Sequence, residues 1–327
     1  MISLLGLFTG IVLLIAGGAL LVRGSSEIAT RFGVSPMIVG LTIVGFGTST
    51  PELVVNIVGS LKGVTGLAFG NVVGSNISNL ALVLGVAALI KPISIQGQLV
   101  RREVPLLLLA TTMMTVMALD GPLHGLPAVI GRSESIVLML LFCIFIYVNA
   151  LDIVGERQAD PLVLEIEADP LIDTHPIGRF AWLLVILGVG LLYAGGEMTV
   201  RNSVEIAGRF GVSATIVGLF MVAVGTSMPE LVTSVIAAIR GESDLALGNV
   251  VGSCIFNSLV VLPASGLISE VTVPRGGIGD LLVSLALVAL LIPIFIMGKA
   301  RLGRVMGGAL LLAYFAYVVV RISYDNV

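Results

Sequence analysis

Residues 33 to 53 read GVSPMIVGLTIVGFGTSTPEL, and residues 211 to 231 read GVSATIVGLFMVAVGTSMPEL. Of these 21 positions 14 are identical, at an offset of 178 residues. The same offset aligns AFGNVVGS at 68 to 75 with ALGNVVGS at 246 to 253, and AGG at 16 to 18 with AGG at 194 to 196. It also aligns Arg23, Glu27 and Arg31 with Arg201, Glu205 and Arg209. Self-similarity at one fixed offset marks an internal repeat, so the chain reads as two homologous halves.

The residues around the repeat say what kind of protein carries it. In 327 residues, 57% are apolar and 11% charged, and the mean hydropathy is +1.12; a soluble domain is usually about a quarter charged. Cutting at charged and Pro/Gly-rich connectors leaves ten apolar segments. They lie near residues 2 to 22, 36 to 59, 66 to 90, 104 to 119 and 135 to 151, then 180 to 196, 213 to 239, 245 to 269, 281 to 298 and 304 to 321. Most reach the roughly 17 to 25 residues that a bilayer crossing needs. A lipid-exposed backbone must satisfy its own hydrogen bonds, and these runs are too long and uniformly apolar for barrel strands. The expected fold is therefore an all-α polytopic membrane protein with ten transmembrane helices. That excludes nucleic-acid binding, secreted scaffolds and cytosolic catalysis; a net charge of −3 and a pI of 5.4 add little. Residues 1 to 22 lack a basic leader and a small-residue cleavage site, so they read as a first span rather than a cleaved signal. Cys143 and Cys254 lie in apolar runs and imply no disulfide framework, and His124 and His175 sit in polar connectors without zinc spacing.

The repeat also sets a symmetry. Spans 2 and 7 are equivalent and five crossings apart, and an odd number inverts orientation. The halves, 1–152 and 180–327, are thus expected as inverted five-helix repeats about a pseudo-two-fold axis in the membrane plane, the arrangement that places one site near the midplane of many secondary transporters. Residues 153–179 carry six acidic residues and three prolines without EF-hand spacing, and read as a solvated acidic linker. Eleven of the 17 basic residues fall on the side of the odd-numbered connectors, which assigns that side, linker included, to the cytoplasm and both termini to the outside.

Chemistry concentrates in the repeat. Glu52 is the sole charged residue between Gly33 and Leu61, and Glu230 the sole one between Gly211 and Ile239. A charge at the centre of a span costs about 2.5 to 3.5 kcal/mol on insertion scales, and an intramembrane ionisable group is by default a functional-site hypothesis. Two protonated glutamates acting as interhelical glue is the plainer alternative, and the duplication disfavours it. In GTSTPE (47 to 52) and GTSMPE (225 to 230) the proline removes a donor and clashes with the carbonyl four residues back, so each helix should break and free oxygens. Thr48 and Thr226 each lie four residues before a glutamate, which predicts hydroxyl and carboxylate on one helical face. Asn71, Ser75 and Asn79, and likewise Asn249, Ser253 and Asn257, fall four apart, and nearby glycines would permit close helix approach. Carboxylates, hydroxyls and freed carbonyls are hard oxygen ligands suited to calcium and sodium.

These motifs resemble the cation/calcium exchangers, whose two α-repeats carry GTSxPE followed by a GNxxGSN-like helix, and the resemblance covers essentially the whole chain. It implies an antiporter, not an enzyme, that needs no cofactor and exchanges sodium for calcium by alternating access. It places Glu52, Glu230, Thr48 and Thr226 around a central calcium. Ser49, Ser227, Ser75 and Ser253 would join the glutamates in flanking sodium sites, with Asn79 and Asn257 near the centre and the Gly45 and Ala223 carbonyls as main-chain ligands. Calcium, sodium and lipid are the implied partners; no nucleic acid or obligate protein partner is. Asparagine at both 79 and 257 argues against a potassium requirement, because some family members, notably potassium-dependent ones, carry aspartate at the position of Asn257. Cys254 stands where the first repeat has Asn76 and is expected to tune packing. The family's large regulatory domain has no counterpart in the 153–179 connector. A proton-coupled or other-cation antiporter and a passive cation channel remain as alternatives. An intramembrane aspartyl protease, suggested by GIGD (277 to 280) and Tyr324-Asp325, has its motifs in reversed order and at span ends.

Overall fold

The computed structural model describes residues 2–63, 65–94, 99–159, 177–209, 225–297 and 301–325. The first half contains α1 (Ile2–Phe32), α2 (Pro36–Thr48), α3 (Thr50–Leu61), α4 (Thr65–Ile90), α5 (Val104–Leu123) and α6 (Arg132–Ala159). The second contains α7 (Ile177–Arg209), α8 (Met228–Arg240), α9 (Ser243–Ile268), α10 (Gly277–Met297) and α11 (Arg304–Asp325).

Among the described residues seven helices are long and apolar enough to cross a membrane, eight with the bent pair α2–α3 counted as one span. Helix α10 adds a shorter apolar stretch, Gly277–Pro293. The first part of span 7 lies outside the described residues, so the ten expected spans are matched wherever they are described.

Helix ends differ from the apolar segments where polar residues continue a helix that has emerged from the apolar layer. Helix α1 runs ten residues beyond the expected end at 22, through Arg23, Glu27 and Arg31, and stops where Gly33 takes φ 60°. There the N–H of Val34 donates to the Ala29 carbonyl, a closure that L side chains resist at positive φ. Helices α6 and α7 likewise reach into the expected linker, to Ala159 and from Ile177; residues 160–176 lie outside the described residues.

Helices α1 and α7 are repeat equivalents, and they pack antiparallel along their lengths. Gly10 meets Thr199 and Gly195, Gly17 meets Leu192 and Gly188, and Gly24 meets Ala181. A Cβ at any of the three would lie 2.8 Å or less from an atom of the partner helix. Close backbone approach of this kind is how small residues join helices where lipid removes the hydrophobic driving force. Two short antiparallel sheets tie the halves together: β1 (Ile93–Ser94) pairs with β4 (Arg301–Leu302), and β2 (Val129–Ile130) with β3 (Val271–Thr272). Each joins connectors that share a side in the alternating ten-span reading, the third with the ninth and the fourth with the eighth. Helix α5 runs between the two sheets and places them at opposite ends of the bundle.

Helices α4 and α9 form its centre. In their most apolar windows 72% and 89% of residues are buried, against 22% in α6 and α11. Their partners are reached through glycine: Gly248 and Gly252 lie against the backbone of Met37, Gly40 and Leu41. This packing brings the two PE motifs and the two GNVVGS helices together.

Candidate cation site

Both PE helices are interrupted in the same way. Ser49 has φ −87° and ψ 8°, and Ser227 has φ −85° and ψ 7°, outside the helical basin. Each serine caps the following helix, in which Pro51 or Pro229 occupies the first turn, where a missing N–H is harmless. The bend between α2 and α3 is 44°. Glu52 and Glu230 thereby fall in the first turn of α3 and α8, at the positive end of the helix dipole, and both are completely buried. They are close enough for their charges to interact. Neither has a Lys, Arg or His partner among the described residues.

The hydroxyls are wired crosswise. Thr48 was expected on the face of Glu52, but the break at Ser49 turns it toward the other half. There its Oγ1 donates to Asn249 Oδ1 at 3.0 Å and lies 3.3 Å from Ser253 Oγ. Ser49 Oγ donates to Glu230 Oε1 at 3.0 Å, and Ser253 Oγ lies 3.4 Å from the same oxygen. The Gly45 carbonyl joins this cluster, accepting from Ser253 Oγ at 3.2 Å and lying 3.3 Å from Thr48 Oγ1. Reciprocally, Thr226 Oγ1 lies 3.3 Å from both Ser75 Oγ and Asn71 Oδ1. The pseudo-two-fold axis thus brings the threonine of each PE motif to the GNVVGS helix of the other half. The first-half cluster is less closed, because among the described residues Ser227 Oγ and both Glu52 oxygens have no hydrogen-bond partner. Ala223 lies outside the described residues.

Asn71 and Asn249 act as braces behind the glutamates rather than as part of an open cage. Asn71 Nδ2 donates to Asn56 Oδ1 at 2.7 Å and is 3.5 Å from the Glu52 carbonyl. Asn249 Nδ2 donates to Ser234 Oγ at 2.8 Å and to the Glu230 carbonyl at 3.3 Å. Asn56 and Ser234 are 178 apart and were missed in the sequence reading, although two buried polar residues at equivalent places in apolar runs were a readable signal. Ser258, which accepts from Asn76 Nδ2 at 2.8 Å, has no repeat counterpart and gave no such signal.

Asn79 and Asn257 sit where α4 and α9 each loosen into a π turn, Ser78–Val83 and Asn257–Val261. Such turns occur disproportionately at functional sites; no residue pattern announced them. Both asparagine side chains are fully buried, and among the described residues neither the amide nitrogen nor the oxygen of either meets a partner at hydrogen-bond geometry. Buried amides are normally paired. With Glu52, Glu230 Oε2 and Ser227 Oγ they form a set of unsatisfied oxygens of the hard type. Among the described residues no three of His, Cys, Asp and Glu converge, so a cation here would draw on hydroxyl, amide and carbonyl oxygens besides the carboxylates. Cys254 is buried with its thiol 3.9 Å from the Asn76 carbonyl. Asp280 of the GIGD stretch is engaged by Tyr317 and Arg321 at 3.0 and 3.2 Å.

An inverted-repeat bundle with paired carboxylates buried at interrupted helices defines a secondary transporter of cations. The model of the sodium/calcium exchanger protein family matches residues 2–151 and 180–323, and the chain belongs to that family. It is 37% identical over 320 residues to the putative antiporter CaxA of Alkalimonas amylolytica, covering 97% of this chain and 98% of that one. It is 30% identical to the sodium/calcium exchanger MaX1 of Methanosarcina acetivorans, covering 98% of each. The inner membrane protein YrbG of Escherichia coli is 36% identical over 80% of this chain and 79% of its own. Among solved structures, the sodium-calcium exchanger NCX_Mj superposes with a TM-score of 0.80 at 27% identity, covering 98% of both chains. The protein is accordingly an integral membrane protein of a cation/calcium antiporter family.

Proposed function

We propose that the protein exchanges sodium for calcium, with calcium bound between Glu52 and Glu230 and near Thr48 and Thr226. Flanking sodium sites are built from Ser49 and Ser253 on one side and Ser75 and Ser227 on the other, with Asn79, Asn257 and the Gly45 and Ala223 carbonyls completing the set. The observation that carries this reading is the pair of fully buried glutamates without a basic partner among the described residues, with hydroxyls of both halves meeting in the same two clusters. Two ionised carboxylates supply a charge of −2. One calcium ion neutralises it, as two sodium ions do, and a third sodium leaves the loaded site positive. The empty site is the costly one to carry through a low-dielectric bundle, which is what couples the two fluxes. With three sodium ions exchanged per calcium, one net charge crosses per cycle, and the membrane potential contributes about 2.3 kcal/mol per 100 mV to calcium export.

In this proposal the halves 1–152 and 180–327 act as inverted units around the site, joined by the 153–179 connector. Both termini face outward and the connector is cytoplasmic, in line with the excess of basic residues on the connector side. The glycine contacts hold α1 and α7 together as one unit, which suits a sliding of spans 1 and 6 against a more rigid bundle as the route to alternating access.

The test is calcium uptake into proteoliposomes driven by an outward sodium gradient, run beside proton and potassium gradients. Uptake that needs sodium, and is lost in Glu52→Gln and in Glu230→Gln, is expected. Uptake indifferent to sodium would refute the coupling, and full activity in either variant would refute the site. A proton-driven flux would establish the alternative of a proton-coupled antiporter. Flux that never runs uphill would establish a channel.

A further inference from the structure

We propose that Glu197, on α7, is an entry carboxylate that concentrates cations at one mouth of the site and sets apparent affinity on that face alone. The inference rests on the reading of the site given above. A cavity of about 210 Å³ opens between α3, α7 and the start of α8, and its wall includes Pro51, Gly225, Thr226, Pro229, Tyr193 and Glu197. Pro51 and Pro229 each precede a site glutamate, and the Thr226 hydroxyl lies 3.3 Å from that of Ser75. The cavity therefore touches the site directly. Among the described residues Glu197 is its only charged lining residue, and it is exposed.

The carboxylate has no structural duty that explains it. Among the described residues it forms no ion pair, and Arg201, one turn further along α7, makes none with it. The repeat offset maps Glu197 onto Ala19, so the α1 equivalent lacks the acid and the two mouths differ. Facing lipid, the charge would cost about 2.5 to 3.5 kcal/mol at mid-span; facing a wet vestibule that ends on Thr226, it is hydrated and points its field at incoming cations. Clefts lined by one sign of charge raise the local concentration of counter-ions in this way.

The magnitude has a signature. Coulomb attraction scales with ion charge, so the affinity lost on neutralising Glu197 is, for calcium, the square of that for sodium. For a charge on the order of 8 Å away in water this is about two- to threefold for sodium and about sixfold for calcium. The experiment compares wild type, Glu197→Gln and Glu197→Asp in right-side-out and inside-out vesicles at low and physiological ionic strength. On one face Glu197→Gln is expected to raise the calcium KM about sixfold and the sodium KM by its square root at low salt, with the maximal rate unchanged. The shift should shrink in about 0.15 M salt and be largely restored by Glu197→Asp. Unchanged KM values, an equal change on both faces, or a change insensitive to salt would overturn the entry role while leaving the exchange reading standing. Failure of the wild type to exchange sodium for calcium would overturn both.

Discussion

The crosswise wiring of the two halves makes a quantitative prediction that a same-half arrangement does not. Thr48 belongs to the first repeat, yet its hydroxyl donates to Asn249 in the second at 3.0 Å. The perturbation is a double-mutant cycle on Thr48→Val and Asn249→Ala. Valine keeps the shape of threonine and removes only the hydroxyl. Asn249→Ala also breaks the bonds to Ser234 Oγ and the Glu230 carbonyl, so at about 1 kcal/mol per bond it costs about 2 to 3 kcal/mol by itself. The coupling isolates the shared bond; interhelical hydrogen bonds in membranes average about 0.6 kcal/mol and reach about 1.7. The same cycle on Thr48→Val with Asn71→Ala, in the same half, should be additive within about 0.5 kcal/mol, because the two residues share no partner. Equilibrium unfolding in mixed micelles titrated with a denaturing detergent reads both. Coupling of Thr48 to Asn71 but not to Asn249 would refute the wiring and restore the uninterrupted helix in which Thr48 lies on the face of Glu52.

Three further outcomes follow from the packing. Gly248→Ala would place a methyl 2.6 Å from the Met37 carbonyl, and Gly252→Ala would place one on the Leu41 backbone; each should cost about 1 to 3 kcal/mol in the same unfolding assay and slow transport, since backbone cannot step aside as a side chain does. Asp280→Asn removes the charge that Arg321 meets in a largely buried contact with Tyr317, and should destabilise the protein by about 1 to 3 kcal/mol while leaving the calcium KM unchanged; a changed KM would tie this end of the bundle to the site. Cys254→Ala should lower the thermal midpoint without altering calcium affinity, because the hydrogen bond its thiol makes is to the Asn76 carbonyl; a shift in affinity would place the thiol among the ligands.

Much of this was legible before any coordinates, because the constraints that produced it are local and duplicated. An apolar run of bilayer length has no option but a helix. A proline placed before a glutamate interrupts that helix wherever it sits, and Ser49 and Ser227 carry matching dihedral angles. The 178-residue offset predicted inversion by parity, and the antiparallel fit of α1 and α7 and the cross-half pairing of the two sheets agree with it. Less legible was anything that depends on which helix faces which. Helical spacing assigned Thr48 to Glu52; the break turned it to Asn249 and the Glu230 cluster. No residue pattern announces the π turns at Ser78 and Asn257, and the duplication of Asn56 and Ser234 marks the pair without saying that they bond Asn71 and Asn249.

Sequence therefore settles the membrane, the helices, the duplication and the two carboxylates, since each is written in residue type and periodicity within a few turns of chain. The tertiary structure alone decides the partnerships: hydroxyls of one half serving the glutamate of the other, asparagines left unpaired at the crossing of α4 and α9, and Glu197 facing a cavity that ends at Thr226. The physical reason is that side-chain direction past a broken helix depends on a bend and on backbone contact across the pseudo-two-fold, quantities set by residues about 180 positions away in the chain.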